Sequence, residues 1–277
     1  TNESYRRIAI ERGGLAPHLV TVVRSGPDTH AMRPLRVETT GDKPHELVYL
    51  GIMGPQDGVD QVLLVMDELR RRGRRDVHAT LMGFGDCLDD LRRQCTDMGL
   101  DPWVTFTGRV DRDEVASRLS AADIGLGPDL KTPLNDLSTM NKTMEYMAYG
   151  LPSVAFDLVE TRVSGGEAVL LVPSGDITAF ADAVERLLYD PDLRVELGLR
   201  ARHRVASELD WRPQARAYIG VYDELLGGSG TVGADDAPFT EPPAGVDKAG
   251  RPYVDLRDDA ELRHFIASRG RGAQPGE

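Results

Sequence analysis

The chain has 277 residues, with Lys+Arg 33 against Asp+Glu 45 and a formal charge of −12 at pH 7. That balance argues against a nucleic-acid partner, because counterion release needs a basic surface, and the densest basic run, Arg70 to Arg75, falls at a predicted helix end. No run of about 18 apolar residues is present to cross a bilayer, and no basic-then-apolar start marks a signal peptide, so the chain reads as soluble, with nothing to support a peripheral membrane contact.

In chain order, residues 1–40 carry one predicted helix, Asn2 to Arg12, and one predicted strand, Leu19 to Val23, ending in Arg24-Ser25-Gly26-Pro27-Asp28. Thr1 is not an initiator Met, which leaves residue 1 open as a cut point. Leu47 to Leu50 is then an apolar run closed by Gly51, and Val59, Val62, Leu63, Met66 and Leu69 follow at helical spacing. Val77 to Met82 is a second strand ending in Gly83-Phe84-Gly85, and the next helix has Leu88, Leu91, Cys95 and Met98 on its inner face. Cys87 and Cys95 lie about 12 Å apart along that helix, too far for a disulfide, and a reducing, cytoplasmic setting fits them.

Trp103 to Thr107 is a third strand, and Asp111 with Glu114 opens the following helix in the manner of a capping box. Asp123 to Gly127 is a fourth. A polar loop, Pro128 to Ser138, leads into a helix over Thr139 to Tyr149 stopped by Gly150. Pro152 to Phe156 and Ala168 to Val172 complete the strands, and Ser174-Gly175-Asp176 caps a helix through Leu188. Two more helices cover Pro191 to Glu208 and Arg212 to Leu226. Residues 228–245 read as a linker, Tyr253 to Leu256 as a short strand before a helix through Ile266, and the last residues as disordered.

Nearly continuous apolar strands joined by helices imply an α/β fold, a Rossmann-like parallel sheet flanked by helices. The expected division is 1–40 as a segment apart, 41–227 as the Rossmann-like domain, and 228–277 as linker and tail. Ligands of such sheets sit beyond the carboxyl ends of the strands, which selects the loops Gly51 to Gly58, Gly83 to Asp86, Gly108 to Asp111 and Pro128 to Asn141.

The strongest local signal runs from Ser138 to Val154, reading Ser-Thr-Met-Asn-Lys-Thr-Met-Glu-Tyr-Met-Ala-Tyr-Gly-Leu-Pro-Ser-Val. A helix opening there directs free N–H groups and the positive end of its dipole into the crevice, which suits a phosphate. Lys142 adds a full charge, and Glu145, one turn deeper on the side of Asn141, suits both hydroxyls of a ribose. The spacing alone equally allows an exposed Lys142–Glu145 pair worth a few tenths of a kcal/mol.

This stretch resembles the nucleotide-sugar signature of the retaining, GT-B-fold glycosyltransferases of family 4 (group 1), in the variant Asn-Lys-x-x-Glu-Tyr-Met-Ala-x-Gly-x-Pro. Gly83-Phe84-Gly85, Val104 to Val110 and Ala122-Asp123-Ile124 resemble further family patterns, so the likeness covers about residues 47–226. It implies the C-terminal, donor-binding half of a GT-B fold and transfer of a sugar from a nucleoside-diphosphate sugar to an acceptor hydroxyl, with retention and with no cofactor or metal. In that likeness Glu145 holds the donor ribose, and the backbone of Ser138, Thr139, Met140, Asn141 and Lys142 cradles the diphosphate. Arg109 and Val110 border the base, Gly51 and Gly83 lie at the donor site, and Val163 to Glu167 is scaffold. Glu145 and Lys142 are the expected catalytic pair, Lys142 stabilising the leaving group. Residues 1–28 resemble the last helix and strand of the family's acceptor-binding domain, most of which is absent.

Two departures from the pattern stand out. The family has a second acidic residue eight before the glutamate, where this chain has Leu137, with Asp136 one residue off register. It also has an Arg and a Lys after the first strand, where Met53 and Asp57 stand here. A non-catalytic nucleotide-sugar-binding subunit and a GT-B sugar-nucleotide epimerase are therefore the alternatives, with a dehydrogenase behind them because Gly83-x-Gly85 lacks a third glycine at Leu88. The histidines (18, 30, 45, 78, 203, 264) show no metal-ligand spacing, Ser164-Gly165-Gly166 is not a nucleophile elbow, and Trp103, Phe106 and Met147 read as core.

Overall fold

The computed structural model describes residues 1–37, 43–227 and 240–269. Six strands, β1 (His45–Ile52), β2 (Val77–Phe84), β3 (Val104–Gly108), β4 (Ile124–Gly127), β5 (Ser153–Phe156) and β6 (Val169–Val172), form one sheet in the order β3-β2-β1-β4-β5-β6. Every neighbouring pair is parallel. The order reverses direction between β1 and β4, and there the loops leaving the sheet diverge to open a crevice.

Ten helices among the described residues surround the sheet: α1 (Glu3–Glu11), α2 (Val59–Arg71), α3 (Leu88–Asp97), α4 (Arg112–Ala121), α5 (Asn141–Ala148), α6 (Val159–Gly165), α7 (Ile177–Tyr189), α8 (Pro191–Glu208), α9 (Trp211–Leu226) and α10 (Asp259–Ser268). The two-residue alternation of a strand explains why both faces need cover. Leu47 and Tyr49 of β1 point to one side, into a core with Val62, Leu63 and Met66 of α2, Leu91 and Cys95 of α3, and Phe180 and Val184 of α7. Val48 points to the other, packing with Leu119 of α4, Met144 and Met147 of α5, and Ala201 and Val205 of α8. A third cluster joins Val195 and Leu199 of α8 to Val254, Leu256, Leu262 and Ile266, so the C-terminal segment is docked by apolar burial. Each such fully buried Leu or Ile contributes about 1.5–3 kcal/mol.

The element starts follow local chemistry. Asp111 caps α4 by accepting from the Glu114 amide at 2.9 Å, but only half of the predicted box forms, because Glu114 turns to Arg118 at 2.7 Å. Asp176 caps α7 through the Ala179 amide at 2.9 Å. Cys87 stands at the start of α3 and both cysteines are free thiols. Among the described residues no helix is long and apolar enough to cross a membrane.

Two predicted strands are corrected. Leu19 to Val23 does not form one: a short 3₁₀ turn, Pro17–Leu19, gives way to chain with no ladder partner among the described residues. The carbonyls of Pro17 and Val20 are taken by the Arg6 guanidinium at 3.0 Å each, and Leu19 stays 68% exposed, so neither hydrogen bonding nor burial favours a strand. Tyr253 to Leu256 makes a single antiparallel bridge, Leu35 with Tyr253, beside that of Val246 with Pro252, rather than a strand. The helix predicted from Thr139 starts at Asn141, two residues later. Most of the predicted linker, residues 228–239, and the tail 270–277 lie outside the described residues, as does the expected boundary at 40/41.

Candidate functional site

A cleft of about 920 Å³ opens beyond the carboxyl ends of β1, β2 and β3 and the start of α5. Gly51, Gly83, Arg109, Val110, Asn141 and Glu145 all line it. Six sequence positions drawn from β1, β2, the loop after β3 and α5 thus meet at one surface. The glycines are there for backbone proximity: a Cβ on Gly83 would stand 1.8 Å from the Gly51 carbonyl oxygen, and one on Gly51 would press the Tyr49 hydroxyl at 2.8 Å. Arg109 lays its guanidinium over the Phe84 ring at 5.0 Å, giving the β3 side of the cleft a flat cationic edge.

The helix α5 is fixed beneath the sheet by Tyr146. Its buried hydroxyl donates to the Leu126 carbonyl at 3.1 Å and accepts the Leu50 amide at 3.0 Å, which ties α5 to both β4 and β1. That pin sets the neighbouring Glu145 at the cleft wall. Glu145 is half-buried and has no hydrogen-bond or ion-pair partner among the described residues, and burial raises its carboxyl pKa against the opposing pull of the Lys142 charge. No side chain caps the start of α5 at Met140, so the positive end of the helix is left for another acceptor.

Ser138, Thr139, Met140 and Lys142 are not among the residues that line the cleft. Ser138 and Thr139 are fastened from α1: Asn2 Nδ2 donates to the Leu137 carbonyl at 2.9 Å and to the Thr139 hydroxyl at 3.0 Å, and the Tyr5 hydroxyl meets that of Ser138 at 2.8 Å. Lys142, expected as an open cation, is buried instead, its Nζ donating to both Asp129 oxygens at 2.6 and 2.9 Å. The exposed Lys142–Glu145 pair is accordingly not formed. The reason is burial: β4 delivers Asp129 to the root of α5, and a desolvated ammonium takes the carboxylate within reach.

The departures from the family pattern are also explained locally. Asp136 accepts the Val159 amide at 2.9 Å, capping α6, and meets Lys131 at 3.4 Å. Asp57 accepts the Gly54 amide at 2.9 Å and closes the loop after β1, where burial raises its pKa against that bond. Sequence reasoning missed Asp129, Arg112, Lys248 and Tyr253, the last three of which line the cleft. No spacing signals them: Lys248 and Tyr253 reach the cleft from about 100 residues beyond Glu145 in the chain.

A family model described as glycosyl transferases group 1 matches residues 44–190, just over half of the chain. The alpha-D-kanosaminyltransferase of Streptomyces kanamyceticus is 30% identical over 202 residues, covering 72% of this chain and 50% of that protein. A GDP-mannose-dependent alpha-(1-6)-phosphatidylinositol monomannoside mannosyltransferase of Mycolicibacterium smegmatis is 30% identical over 218 residues, 76% and 55% of the two chains. The chain therefore spans about half the length of the curated relatives it matches. Among solved structures, sucrose-phosphate synthase from Thermosynechococcus elongatus superposes with a TM-score of 0.66 at 23% identity, covering 80% and 57%. HepE of Anabaena, in complex with UDP, gives 0.63 at 15% identity, covering 80% and 61%. Sheet, helices and neighbours agree on a GT-B-type Rossmann-like domain, and the chain belongs to the group 1 glycosyl transferases.

Proposed function

We propose that this chain binds a nucleoside-diphosphate sugar in the cleft and takes part in moving the sugar, with retention at the anomeric carbon, to a hydroxyl of an acceptor carried by a further domain. The observation that carries the reading is Glu145: a half-buried carboxylate with no partner among the described residues, one turn inside a helix whose start lacks a side-chain cap. An isolated buried carboxylate is costly unless a donor reaches it, and two vicinal ribose hydroxyls are such a donor. A diphosphate then falls at the first turn of α5, where fixed amide dipoles oppose the charge that grows as the glycosidic bond to phosphate breaks. Those dipoles act more strongly on the transition state than on the ground state, which is what accelerates the step.

In this reading Lys142 holds its place through Asp129 and keeps the root of α5 rigid, adding a compensated rather than a free charge. Arg109 and Val110 border the base. The donor is a substrate, no metal or cofactor enters, and a cytoplasmic location belongs to the same reading. Calorimetric titration with UDP, GDP and ADP, beside donor hydrolysis with the matching sugar nucleotides, tests it: micromolar binding by one of them, weakened in Glu145→Gln, supports it, and no binding refutes it.

A second reading, a nucleotide-sugar-binding subunit without turnover, is favoured by one observation. Asp136 is committed to capping α6 and Leu137 fills the position of the family's other acid, so no second carboxylate stands in register. Tight nucleotide binding without hydrolysis or transfer in the presence of the acceptor-binding domain would select it.

A further inference from the structure

Residues 240–269 lie beyond the family match, which ends at 190, yet they hold the donor helix from behind and border the cleft in front. Behind, the buried Arg269 donates to the carbonyls of Tyr149 at 2.5 Å and Gly150 at 2.8 Å. Arg202, gripped by Glu241 at 2.7 and 2.5 Å, donates to the Ala148 carbonyl at 2.8 Å. These carbonyls belong to the last residue of α5 and the two that follow it, at the negative end of the helix dipole, where a helix leaves acceptors unpaired. The segment is thereby tied to the C-terminal end of α5.

In front, the bridge from Val246 to Pro252 folds a hairpin whose turn is built on Asp247. Its carboxylate accepts the amides of Ala249 at 2.9 Å and Arg251 at 2.7 Å, and the Arg251 Nε at 2.7 Å. Gly250, at φ +81°, takes the left-handed turn position. Arg251 leans toward the Asp113 carbonyl at 3.5 Å, which sets the hairpin beside the 109–116 wall of the cleft. Asp247, Lys248 and Tyr253 line the cleft themselves, and the Tyr253 ring is clamped under Arg33 at 3.8 Å. Lys248, exposed at the tip, has no hydrogen bond or ion pair among the described residues.

We propose that the hairpin 246–252 is the wall closing the nucleoside end of the donor cleft, with the Lys248 ammonium as its contact to the bound nucleotide. The proposal rests on the donor-binding reading above and adds to it a specificity element from outside the family match. A turn presenting one unpaired cation to a cleft that also carries Arg109 and Arg112 suits an anionic or carbonyl-rich ligand. The nucleoside end is favoured over the pyrophosphate end because the hairpin touches the 113 side and the Leu35–Tyr253 bridge, not the loop after β1.

The test is a calorimetric series on the whole chain, using whichever of UDP, GDP and ADP binds tightest, with its monophosphate. Lys248→Glu changes an exposed tip residue, so its melting temperature should equal that of the wild type. The expected result is a fall in affinity of about tenfold or more, the scale of one charged hydrogen bond, by the same factor for diphosphate and monophosphate. Asp247→Ala, which frees the turn, should weaken both ligands alike. Unchanged affinity in Lys248→Glu overturns the proposal while Glu145→Gln, run alongside, reports separately on the donor reading. A loss confined to the diphosphate overturns the placement at the nucleoside end. Absence of any nucleotide binding by the wild type refutes the donor reading and the hairpin's role with it.

Discussion

Lys142 and Asp129 form a buried ion pair at the root of α5, Nζ standing 2.6 and 2.9 Å from the two carboxylate oxygens and 5.3 Å from the centre of the Tyr49 ring. Such a pair contributes little net stability when intact, yet removing one partner strands a desolvated charge. Lys142→Ala should therefore destabilise the fold by about 3–5 kcal/mol. Replacing both residues, Lys142→Met with Asp129→Leu, should recover most of that loss. Urea unfolding of the three variants measures it, and a Lys142→Ala protein as stable as the wild type would contradict the account.

Glu145→Gln should weaken nucleotide binding by about tenfold or more, since an amide replaces a charged acceptor. Without ligand the same variant should be slightly more stable than the wild type at neutral pH. The sign follows from the raised pKa of the folded state: burial penalises the charged form, so stability falls as pH rises from the ordinary carboxylate range through the raised value. Melting curves at acid and neutral pH show whether the advantage of the Gln variant appears only on the neutral side.

Asp210 fastens Thr29 to the start of α9. Burial alone would raise its pKa, but the guanidinium of Arg212, the Thr29 hydroxyl and the amides of both residues hold it down to about 2. A depressed carboxylate contributes stability that is present above its unfolded value, about 4, and is lost as pH falls toward about 2. Asp210→Asn should cost about 1–3 kcal/mol at neutral pH, because the buried Thr29 hydroxyl and amide lose a charged acceptor. Its stability should also change less than that of the wild type between pH 4 and pH 2, which denaturant unfolding across that range would reveal.

Gly83→Ala tests the close approach of β1 and β2. With a Cβ placed 1.8 Å from the Gly51 carbonyl, the strand ends must separate, at a cost of about 1–3 kcal/mol. Because Gly51 and Gly83 both line the cleft, nucleotide affinity should fall with stability. A variant unchanged in both would show that the ends are free to spread.

The fold was legible where the pattern was local. Apolar runs, the first four ending at a glycine, gave the six strands to within a few residues, because parallel strands covered on both faces are apolar at almost every position. The Asn141–Glu145 stretch could be placed at the cleft because helix spacing and strand polarity fix it. What stayed hidden is pairing across the chain: Asn2 with Thr139, Arg269 with Tyr149, and Lys248 with a cleft it reaches from outside the family match. The Lys142–Asp129 pair was hidden for another reason, since spacing reveals which residues share a helix face but not which buried charge meets them. Leu19 to Val23 misled because an apolar, β-branched run becomes a strand only beside a free sheet edge.

The most direct test of the central claim is a crystal structure of this chain with UDP or GDP, whichever binds. The account predicts ribose hydroxyls within hydrogen-bonding distance of the Glu145 carboxylate and the diphosphate against the first turn of α5. A nucleotide bound elsewhere, or one whose ribose faces away from Glu145, would contradict it.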